Sequence, residues 1–291
     1  MSNLVDLVIA GLATGAIYAL VAIGFTLLWQ TSQTINFAQG EFVMLPAFLM
    51  LAVMRAGAPF WLAVIVGAVL SVAILGAAFK KLLVDPMLRH GVLPLAIATM
   101  ALSVAMKESV KQFFSAEAQP FPSIAPTGSV SIFGSSVSLQ SLGVFAFAVA
   151  AVIGLNLFLE RTSTGRQMQA AAQNPTVARI IGIPVERMIM LTFVINAALV
   201  ALASLLVTPI YLAKFSSGDT LGQAAFIAAI VGGFNQVRGA IVGGLVIGVA
   251  DNLAAAYVST QYRAAVPLVL LIVIILFRPE GLIGRSQERT V

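Results

Sequence analysis

Three polar side chains stand close together in an otherwise apolar stretch of the chain. Asn36, Gln39 and Glu41 fall at the start of an apolar segment, and Gly40 weakens the helix there. A carboxylate inside a membrane helix costs about 2.5–3.5 kcal/mol at the bilayer centre, and it usually marks a pathway or has an internal partner. We interpret the three residues as candidates for a substrate pathway or gate. The alternative is that Glu41 is hydrated at the membrane interface and only orients the helix.

Asp251 is a fourth polar candidate, and it lies in another apolar segment. It either lines a path, pairs with a second charge, or marks a helix end. Other chemistry is excluded. The single histidine, His90, stands beside Arg89 without acidic or thiol neighbours, so we predict no metal site and no catalytic base. No glycine is followed by lysine, which excludes a Walker A phosphate loop and predicts that the chain is not itself an ATPase.

The elements that position these residues must be membrane helices. The chain is 60% hydrophobic and 9% charged, with a mean hydropathy of +1.02. Soluble domains carry roughly 25% charged residues. Long continuous apolar runs favour helices over the short alternating segments of a β-barrel. The chain has no cysteine, so disulfides and thiolate metal sites are excluded. The net charge of +5 comes mostly from lysine and arginine in loops, so it reports membrane topology and not nucleic-acid binding. The predicted partner of the apolar surface is membrane lipid.

The apolar segments predict an all-α polytopic transmembrane bundle, with residues 1–291 in one domain. About eight to nine spans are expected, some of them broken or re-entrant. The last span and the glycine-rich pair before it are shorter than the ~20 residues that a straight crossing needs. The predicted spans are 4–28, 36–54, 60–79, 92–112, 142–159, 188–212, 219–235, 239–258 and 264–277.

The distribution of cations predicts the orientation of the bundle. Membrane proteins carry their excess of lysine and arginine in cytoplasmic loops. Nine spans with an external N-terminus and a cytoplasmic C-terminus place most cations inside: Lys80, Lys81, Arg89, Arg161, Arg166, Arg179, Arg187, Arg238, Arg278, Arg285 and Arg289. The remaining cations lie outside or near that end: Arg55, Lys107, Lys111, Lys214 and Arg263.

The segment 160–187 is a polar island between two predicted spans. Asn174 suits a helix N-cap, Pro175 the first helical position, and Gly182 the left-handed position after the last turn. Pro184 prevents the helix from continuing. A short capped helix with arginines nearby, on the cytoplasmic side, is typical of a docking element. The alternative is an ordinary basic connecting loop.

A long external loop is predicted at 113–141. Within it, Val130–Leu139 alternates in polarity around a turn at Gly134 and Ser135, which indicates a small β-hairpin. Such a hairpin either caps the outer end of the bundle or contacts an external partner.

Glycines four residues apart predict close helix packing. In lipid, small residues at this spacing let two helix backbones approach. Three such pairs occur: Gly11 with Gly15, Gly239 with Gly243, and Gly244 with Gly248.

Four pieces of sequence are spread over the whole chain: Gly11–Leu20, Ile35–Glu41, Gly165–Asn174 continuing through Ile183, and Phe277–Gly284. Together they resemble the LivH-type permease subunits of branched-chain amino acid ABC importers. The Asn-Phe-Ala-Gln-Gly-Glu and Arg-Pro-Glu-Gly motifs in this order are the more specific ones. Two departures affect the helix beside the pathway: Gln39 stands where many members have histidine, and Pro46 where glycine is common.

The resemblance implies an importer in the bacterial inner membrane. Its other subunits would be a second permease, two ATPases that hold ATP-Mg, and an external solute-binding protein. It also implies that the island 160–187 couples to an ATPase through Gly165, Arg166, Ala171, Asn174, Pro175, Ala178, Arg179 and Gly182.

Two alternatives to this interpretation remain. The same kind of machine could import urea, short amides or small organic acids. A secondary transporter would instead need buried ionisable relays, for which the sequence offers only Asp6, Glu41 and Asp251.

Overall fold

Helices make up most of the chain in the computed structural model, which describes residues 2–124, 128–132, 135–259 and 262–284. The described residues form eleven helices and one two-stranded hairpin. The helices are α1 Ser2–Ser32, α2 Gln39–Arg55, α3 Phe60–Leu88, α4 Val92–Phe114, α5 Leu139–Arg161, α6 Ser163–Gln173, α7 Pro175–Ile180, α8 Val185–Tyr211, α9 Ser217–Gly232, α10 Val237–Tyr257 and α11 Ala265–Phe277. The strands are β1 Ser129–Ile132 and β2 Ser135–Ser138.

The helical membrane bundle predicted from the sequence is confirmed. Within the described ranges, six helices are long and apolar enough to cross a membrane: α1, α3, α4, α5, α8 and α10. Three further predicted spans form shorter helices: α2 has 17 residues, α9 has 16 and α11 has 13. Residues 239–258 were expected to be short, but α10 has 21 residues. Its glycines do not break it, since they lie against neighbouring backbones.

Helix α1 packs against α10 with almost no side chains between the two backbones. Gly11 and Gly15 of α1 lie beside Gly248 of α10. A Cβ atom at position 248 would lie 2.2 Å from the Cα of Gly15 and 2.6 Å from the carbonyl oxygen of Gly11. A Cβ atom at Gly244 would likewise lie 2.6 Å from the Cα of Ala19. Only glycine permits this approach, which maximises van der Waals contact in the absence of a hydrophobic effect.

Helices α9 and α10 form a tight antiparallel pair through the other glycines. A Cβ atom at Gly239 would lie 2.5 Å from the oxygen of Gly232, and one at Gly243 would lie 2.0 Å from the oxygen of Ala228. Gly233 has φ +116°, so the chain leaves α9 there instead of at the predicted residue 235. The backbones of α9 and α10 are therefore in direct contact beside the turn that joins the two helices.

Helix α3 continues well beyond its predicted end at residue 79. Its central part is π-helical, at Val72–Ala78 and Lys80–Val84. The predicted span stops directly before the charged Lys80. Its ammonium group instead pairs with the carboxylate of Asp85 at 3.0 Å, and its side chain is only 7% exposed. Neutralising the charge within the helix allows the helix to extend to Leu88.

The predicted hairpin is present one residue earlier than expected. Strands β1 and β2 pair antiparallel, with Ser129 opposite Ser138. Gly134 of the predicted turn lies outside the described residues, as do Pro126 of the same loop and the C-terminal cations Arg285 and Arg289. Leu139 belongs to α5 instead of the strand, because the hydroxyl of Ser138 caps that helix by accepting from the amide of Gln140 at 3.2 Å.

The bundle has two different ends. One end carries α6 and α7, and there Arg238 at the start of α10 pairs with Glu160 at the end of α5 at 3.1 Å. The other end carries the hairpin and the isolated β-bridge between Gln119 and Ala213. We refer to them as the α6–α7 end and the hairpin end.

The α1–α10 contact predicts a specific cost for a single methyl group. Gly248→Ala should destabilise the protein by about 1–3 kcal/mol, because the backbone of α1 must move away. Gly154→Ala is the matched control: nothing lies within 4 Å of its added Cβ atom, and replacing a helical glycine should stabilise by about 0.5–1 kcal/mol. The thermal unfolding midpoints of both purified variants check this. Equal shifts of the same sign would contradict the close contact.

Candidate functional site

The amide side chains of Asn36, Gln39 and Asn196 form a buried cluster at the connection from α1 to α2. The side chains of Gln39 and Asn196 are fully buried and form a reciprocal pair. The Nε2 of Gln39 donates to the Oδ1 of Asn196 at 2.7 Å, and the Nδ2 of Asn196 donates to the Oε1 of Gln39 at 3.1 Å. Gly24 of α1 faces this pair, since a Cβ atom there would lie 2.0 Å from the Asn196 oxygen. Helices α1, α2 and α8 therefore meet at this buried amide pair.

Asn36 determines where α2 begins. Residues 33–38 are not helical, although the second span was predicted to start at residue 36. The Oδ1 of Asn36 accepts from the amide of Ala38 at 3.0 Å, and its Nδ2 donates to Gln39 at 3.3 Å. A side chain that bonds the backbone two residues on favours a turn over a helix. Buried non-helical backbone is tolerated in a membrane protein only where protein groups satisfy it, as they do here.

Glu41 lies on the first turn of α2, and its residue is 3% exposed. It faces away from the amide cluster, toward α4. Ser103 and Lys107 of α4 and Asp219 of α9 are its polar neighbours, and the last two form an ion pair. The carboxylate is therefore buried beside polar groups of two other helices.

A cavity of about 400 Å³ lies at the hairpin end of the bundle. This volume falls in the range of small-molecule sites. The cavity is bounded by α1, α2, α8, α9, α10 and the connection from α10 to α11. Its lining residues are Tyr18, Val43, Met44, Ala47, Phe48, Val207, Thr208, Tyr211, Leu212, Ala213, Lys214, Ser216, Ser217, Thr220, Leu221, Gln223, Ala224, Ile227, Asp251, Arg263, Ala264 and Pro267.

One wall of the cavity carries a bidentate ion pair. The Nε and Nη2 atoms of Arg263 donate to the two carboxylate oxygens of Asp251, each at 2.7 Å. The hydroxyl of Tyr18 also donates to Asp251 at 3.0 Å, and Arg263 lies within 3.4 Å of the hydroxyl of Tyr211. The Asp251 side chain is 5% exposed and that of Arg263 is 29% exposed. The arginine is thus the member that reaches furthest toward solvent.

The hydrogen bonds from Arg263 to Asp251 raise the pKa of the guanidinium above its already high usual value, so this group stays charged. Planar guanidinium–carboxylate pairs are the strongest of the common ion pairs. Removing one partner of a buried pair typically costs about 3–5 kcal/mol, because the remaining charge is left alone in a poorly solvated place. The cavity wall therefore carries both signs of charge, and each one is neutralised by the other.

At the opposite end of the bundle, the island 160–187 forms two capped helices. The cap predicted at Asn174 is confirmed, because its Oδ1 accepts from the amides of Thr176 at 3.1 Å and Val177 at 3.0 Å. Pro175 is the first residue of α7, as expected. Gly182 has φ +84°, and the amide of Ile183 donates back to the carbonyl of Ala178 at 2.9 Å. These bonds satisfy both ends of a helix of only six residues.

Helix α6 was not predicted. The hydroxyl of Thr162 caps it by accepting from the amide of Gly165 at 2.9 Å. The helix folds back on α5 so closely that a Cβ atom at Gly165 would lie 2.2 Å from the carbonyl oxygen of Phe158. The sequence did carry signals for it: Thr162 suits an N-cap, and the buried residues Gly165, Met168 and Ala171 recur at helical spacing.

The α6–α7 pair buries small residues and exposes apolar ones. Ala171 is 3% exposed and Ala178 is 1% exposed, so both face the bundle. Arg166 and Arg179 are exposed. In α7 and directly after it, Val177, Ile180 and Ile181 are 50%, 79% and 66% exposed. Apolar side chains this exposed on a rigid element outside the spanning helices indicate a surface for another protein.

Known proteins are similar to this chain over almost its full length. A family profile described as "Branched-chain amino acid transport system / permease component" matches residues 7–275. The chain belongs to this family.

Two curated relatives have the same extent. The high-affinity branched-chain amino acid transport system permease protein LivH of Salmonella typhimurium is 31% identical, over 97% of this chain and 96% of its own. The corresponding protein BraD of Pseudomonas aeruginosa is 32% identical over the same shares. Among solved structures, PsaBC from Streptococcus pneumoniae has a TM-score of 0.50 at 12% identity, covering 96% of this chain and 91% of that one, which shows a shared fold.

The structure separates the four residues of the permease that were predicted to form a pathway or gate. Only Asp251 lines the cavity, whereas Asn36, Gln39 and Glu41 are not among its lining residues. Sequence reasoning missed Asn196 as the partner of Gln39, and Tyr18, Tyr211 and Arg263 as partners of Asp251. Arg263 was visible as an external cation close after Asp251 in the chain, which was a usable signal. Asn196 was visible as an amide within a long apolar segment, the same kind of signal that singled out Asp251.

A chain of ion pairs ties α7 of the permease to two spanning helices. Arg179 lies 3.4 Å from Glu186 at the start of α8, and Glu186 lies 3.6 Å from Lys80 in the π-helical part of α3. Lys80 also holds Asp85. These charges therefore form one continuous set across α7, α8 and α3.

The amide cluster predicts non-additive effects on stability. Asn196→Leu and Gln39→Met each leave a buried amide with fewer partners, so each should destabilise the protein. The double variant should be more stable than the sum of the two predicts, with a coupling of about 0.6–1.7 kcal/mol, the usual range for hydrogen bonds between membrane helices. Denaturation of the four proteins in detergent measures this coupling. Strictly additive losses would mean that the two amides do not interact.

Proposed function

We propose that this chain is the permease subunit of an ATP-driven importer for branched-chain or other aliphatic amino acids. The observation that carries the proposal is the α6–α7 pair, which presents Val177, Ile180 and Ile181 outside the membrane-spanning part. A short helix capped at both ends and apolar on its outer side fits a groove on an ATPase. The cargo is inferred from the two relatives named for branched-chain amino acid transport.

The importer would contain a second permease subunit, two ATPase subunits that bind ATP-Mg, and an external solute-binding protein. ATP binding would close the two ATPases and displace α7. The ion pairs through Glu186 and the close packing of Gly165 on α5 would then pass the motion to α3, α5 and α8. The coupling role falls to the residues that shape this pair: Gly165, Arg166, Ala171, Asn174, Pro175, Ala178, Arg179 and Gly182.

The α6–α7 end would face the cytoplasm, with the chain in the bacterial inner membrane. The excess of cations in the loops supports this orientation, with the N-terminus outside and the C-terminus inside. The hairpin end and its cavity would then face outward, where a solute-binding protein delivers its cargo. Asn36, Gln39 and Glu41 would form a gate between the cavity and the cytoplasm. Asn36 and Gln39 anchor the non-helical segment 33–38, and Glu41 lies buried on the adjoining first turn of α2.

Docking of the ATPase predicts a loss of partner binding without a loss of folding. Val177→Asp places a charge on the exposed side of α7, in its first turn, where an acidic residue favours the helix. After solubilisation in mild detergent, the tagged variant should retain at most about one tenth of the ATPase subunit that the parent retains. This loss is equivalent to about 1.4 kcal/mol of binding free energy. Val130→Asp is the matched control, because Val130 is 42% exposed at the hairpin end. Equal recovery with both variants would contradict docking through α7.

The proposed mechanism predicts the energy source of transport. Uptake of radiolabelled leucine into proteoliposomes holding the complete importer and the binding protein should require ATP and should resist a protonophore. Glu41→Gln combined with Asn36→Ala should slow uptake by about tenfold, a change of about 1.4 kcal/mol in the barrier. Uptake by the permease alone, driven by a proton gradient, would instead identify a secondary transporter. Uptake at the wild-type rate in the double variant would remove these two residues from the gate.

A further inference from the structure

The cavity is chemically divided. One wall carries the Asp251–Arg263 pair with the hydroxyls of Tyr18 and Tyr211 beside it. The rest of the lining is largely apolar, and its bulky members are Val43, Met44, Phe48, Val207 and Ile227. A ligand that matches this division has two opposite charges close together at one end and an aliphatic group at the other.

We propose that Asp251 and Arg263 bind the α-ammonium and α-carboxylate groups of a zwitterionic aliphatic amino acid, which enters by replacing their ion pair. This proposal rests on the proposed function and assigns that function's substrate contacts to particular residues. Of the four residues at this wall, the sequence pointed only to Asp251.

The geometry of both side chains suits these groups. Arg263 now directs two N–H donors at two carboxylate oxygens, and a substrate carboxylate offers the same pair of acceptors. Asp251 accepts from Arg263 and Tyr18, and a substrate ammonium group donates in the place of the arginine. Tyr18 keeps its bond to Asp251 throughout, and Lys214 lines the same cavity as a second cation.

The exchange leaves neither Asp251 nor Arg263 without a partner. Before binding, the two side chains neutralise each other, and after binding each one is neutralised by the substrate. An amine without a carboxylate would occupy Asp251 and leave Arg263 alone, and a carboxylic acid without an amine would do the reverse. Because an unpaired charge in a poorly solvated site is strongly unfavourable, the cavity selects for the zwitterion over either half.

The pair could instead act only as a clamp that holds the α10–α11 connection against α1. A clamp would make the cavity shape depend on Arg263, but it would not make ligand binding depend on the ligand's two charges. The two roles therefore differ in how the protein distinguishes leucine from isoamylamine and from 4-methylvalerate, which each lack one charge.

Thiol labelling tests the proposal directly, because the chain contains no cysteine. Thr220→Cys introduces one thiol at an exposed position in the cavity. The full chain in membrane vesicles is treated with a charged thiol reagent, with and without each of the three ligands. At a leucine concentration about four times its dissociation constant, the labelling rate should fall about fivefold, since the fraction of protein without ligand is 1/(1 + [L]/Kd). Isoamylamine and 4-methylvalerate should slow it much less.

In the same background, Arg263→Gln and Asp251→Asn should abolish protection by leucine. Arg238→Gln, which removes an arginine from an ion pair at the α6–α7 end, should leave it intact. A labelling rate without ligand equal to that of the parent shows that the cavity is preserved. If Arg263→Gln alters that rate, Arg263→Lys replaces it and should weaken protection while keeping the unliganded rate.

Protection that survives in Arg263→Gln, Arg263→Lys and Asp251→Asn would overturn the proposal, as would the absence of protection in the parent. Equal protection by the amine or the acid would also overturn it, because recognition would then not depend on both charges. ATP-dependent uptake by the complete importer is measured separately. Uptake that persists while protection fails rejects this site only, whereas a complete lack of ATP-driven uptake rejects the proposed function.

Discussion

The contact between the backbones of α1 and α10 is the constraint on which the other features depend. Helix α1 is buried along most of its length, and its glycines bring α10 to backbone distance. This approach places Tyr18 within hydrogen-bonding distance of Asp251, and Gly24, further along α1, leaves room for the amide pair. A single helix therefore supports the charged wall of the cavity near its midpoint and the amide pair nearly two turns further on.

Features governed by local sequence were predictable. Long apolar runs identified the spanning helices, because a helix is the structure that satisfies its own backbone in lipid. The residue types at 174, 175 and 182 located α7, since caps depend on neighbours along the chain. The hairpin followed from alternation over a few residues. In each case the physical cause lies within about ten residues of its effect.

Features governed by distant partners were not predictable. Gln39 and Asn196 are 157 residues apart, and Tyr18 and Asp251 are 233 apart, so no local pattern joins them. Helix α2 begins later than predicted because the side chain of Asn36 hydrogen-bonds the backbone amide of Ala38. The resulting turn competes with continuation of the apolar helix, and the burial of Asn36 decides which of the two forms. Lys80 was a reasonable end for α3 until its partners Asp85 and Glu186 were known.

The link from α7 to α8 and the packing of α1 on α10 depend on different forces. Helix α7 is tied to α8 partly by Arg179 and Glu186, which are 60% and 71% exposed, and charges this exposed are screened over about 10 Å at 0.1 M salt. The glycine contacts of α1 and α10 carry no charge and do not respond to salt. Ionic strength therefore weakens the Arg179–Glu186 pair without changing the α1–α10 packing, so the electrostatic part of the link can be varied on its own.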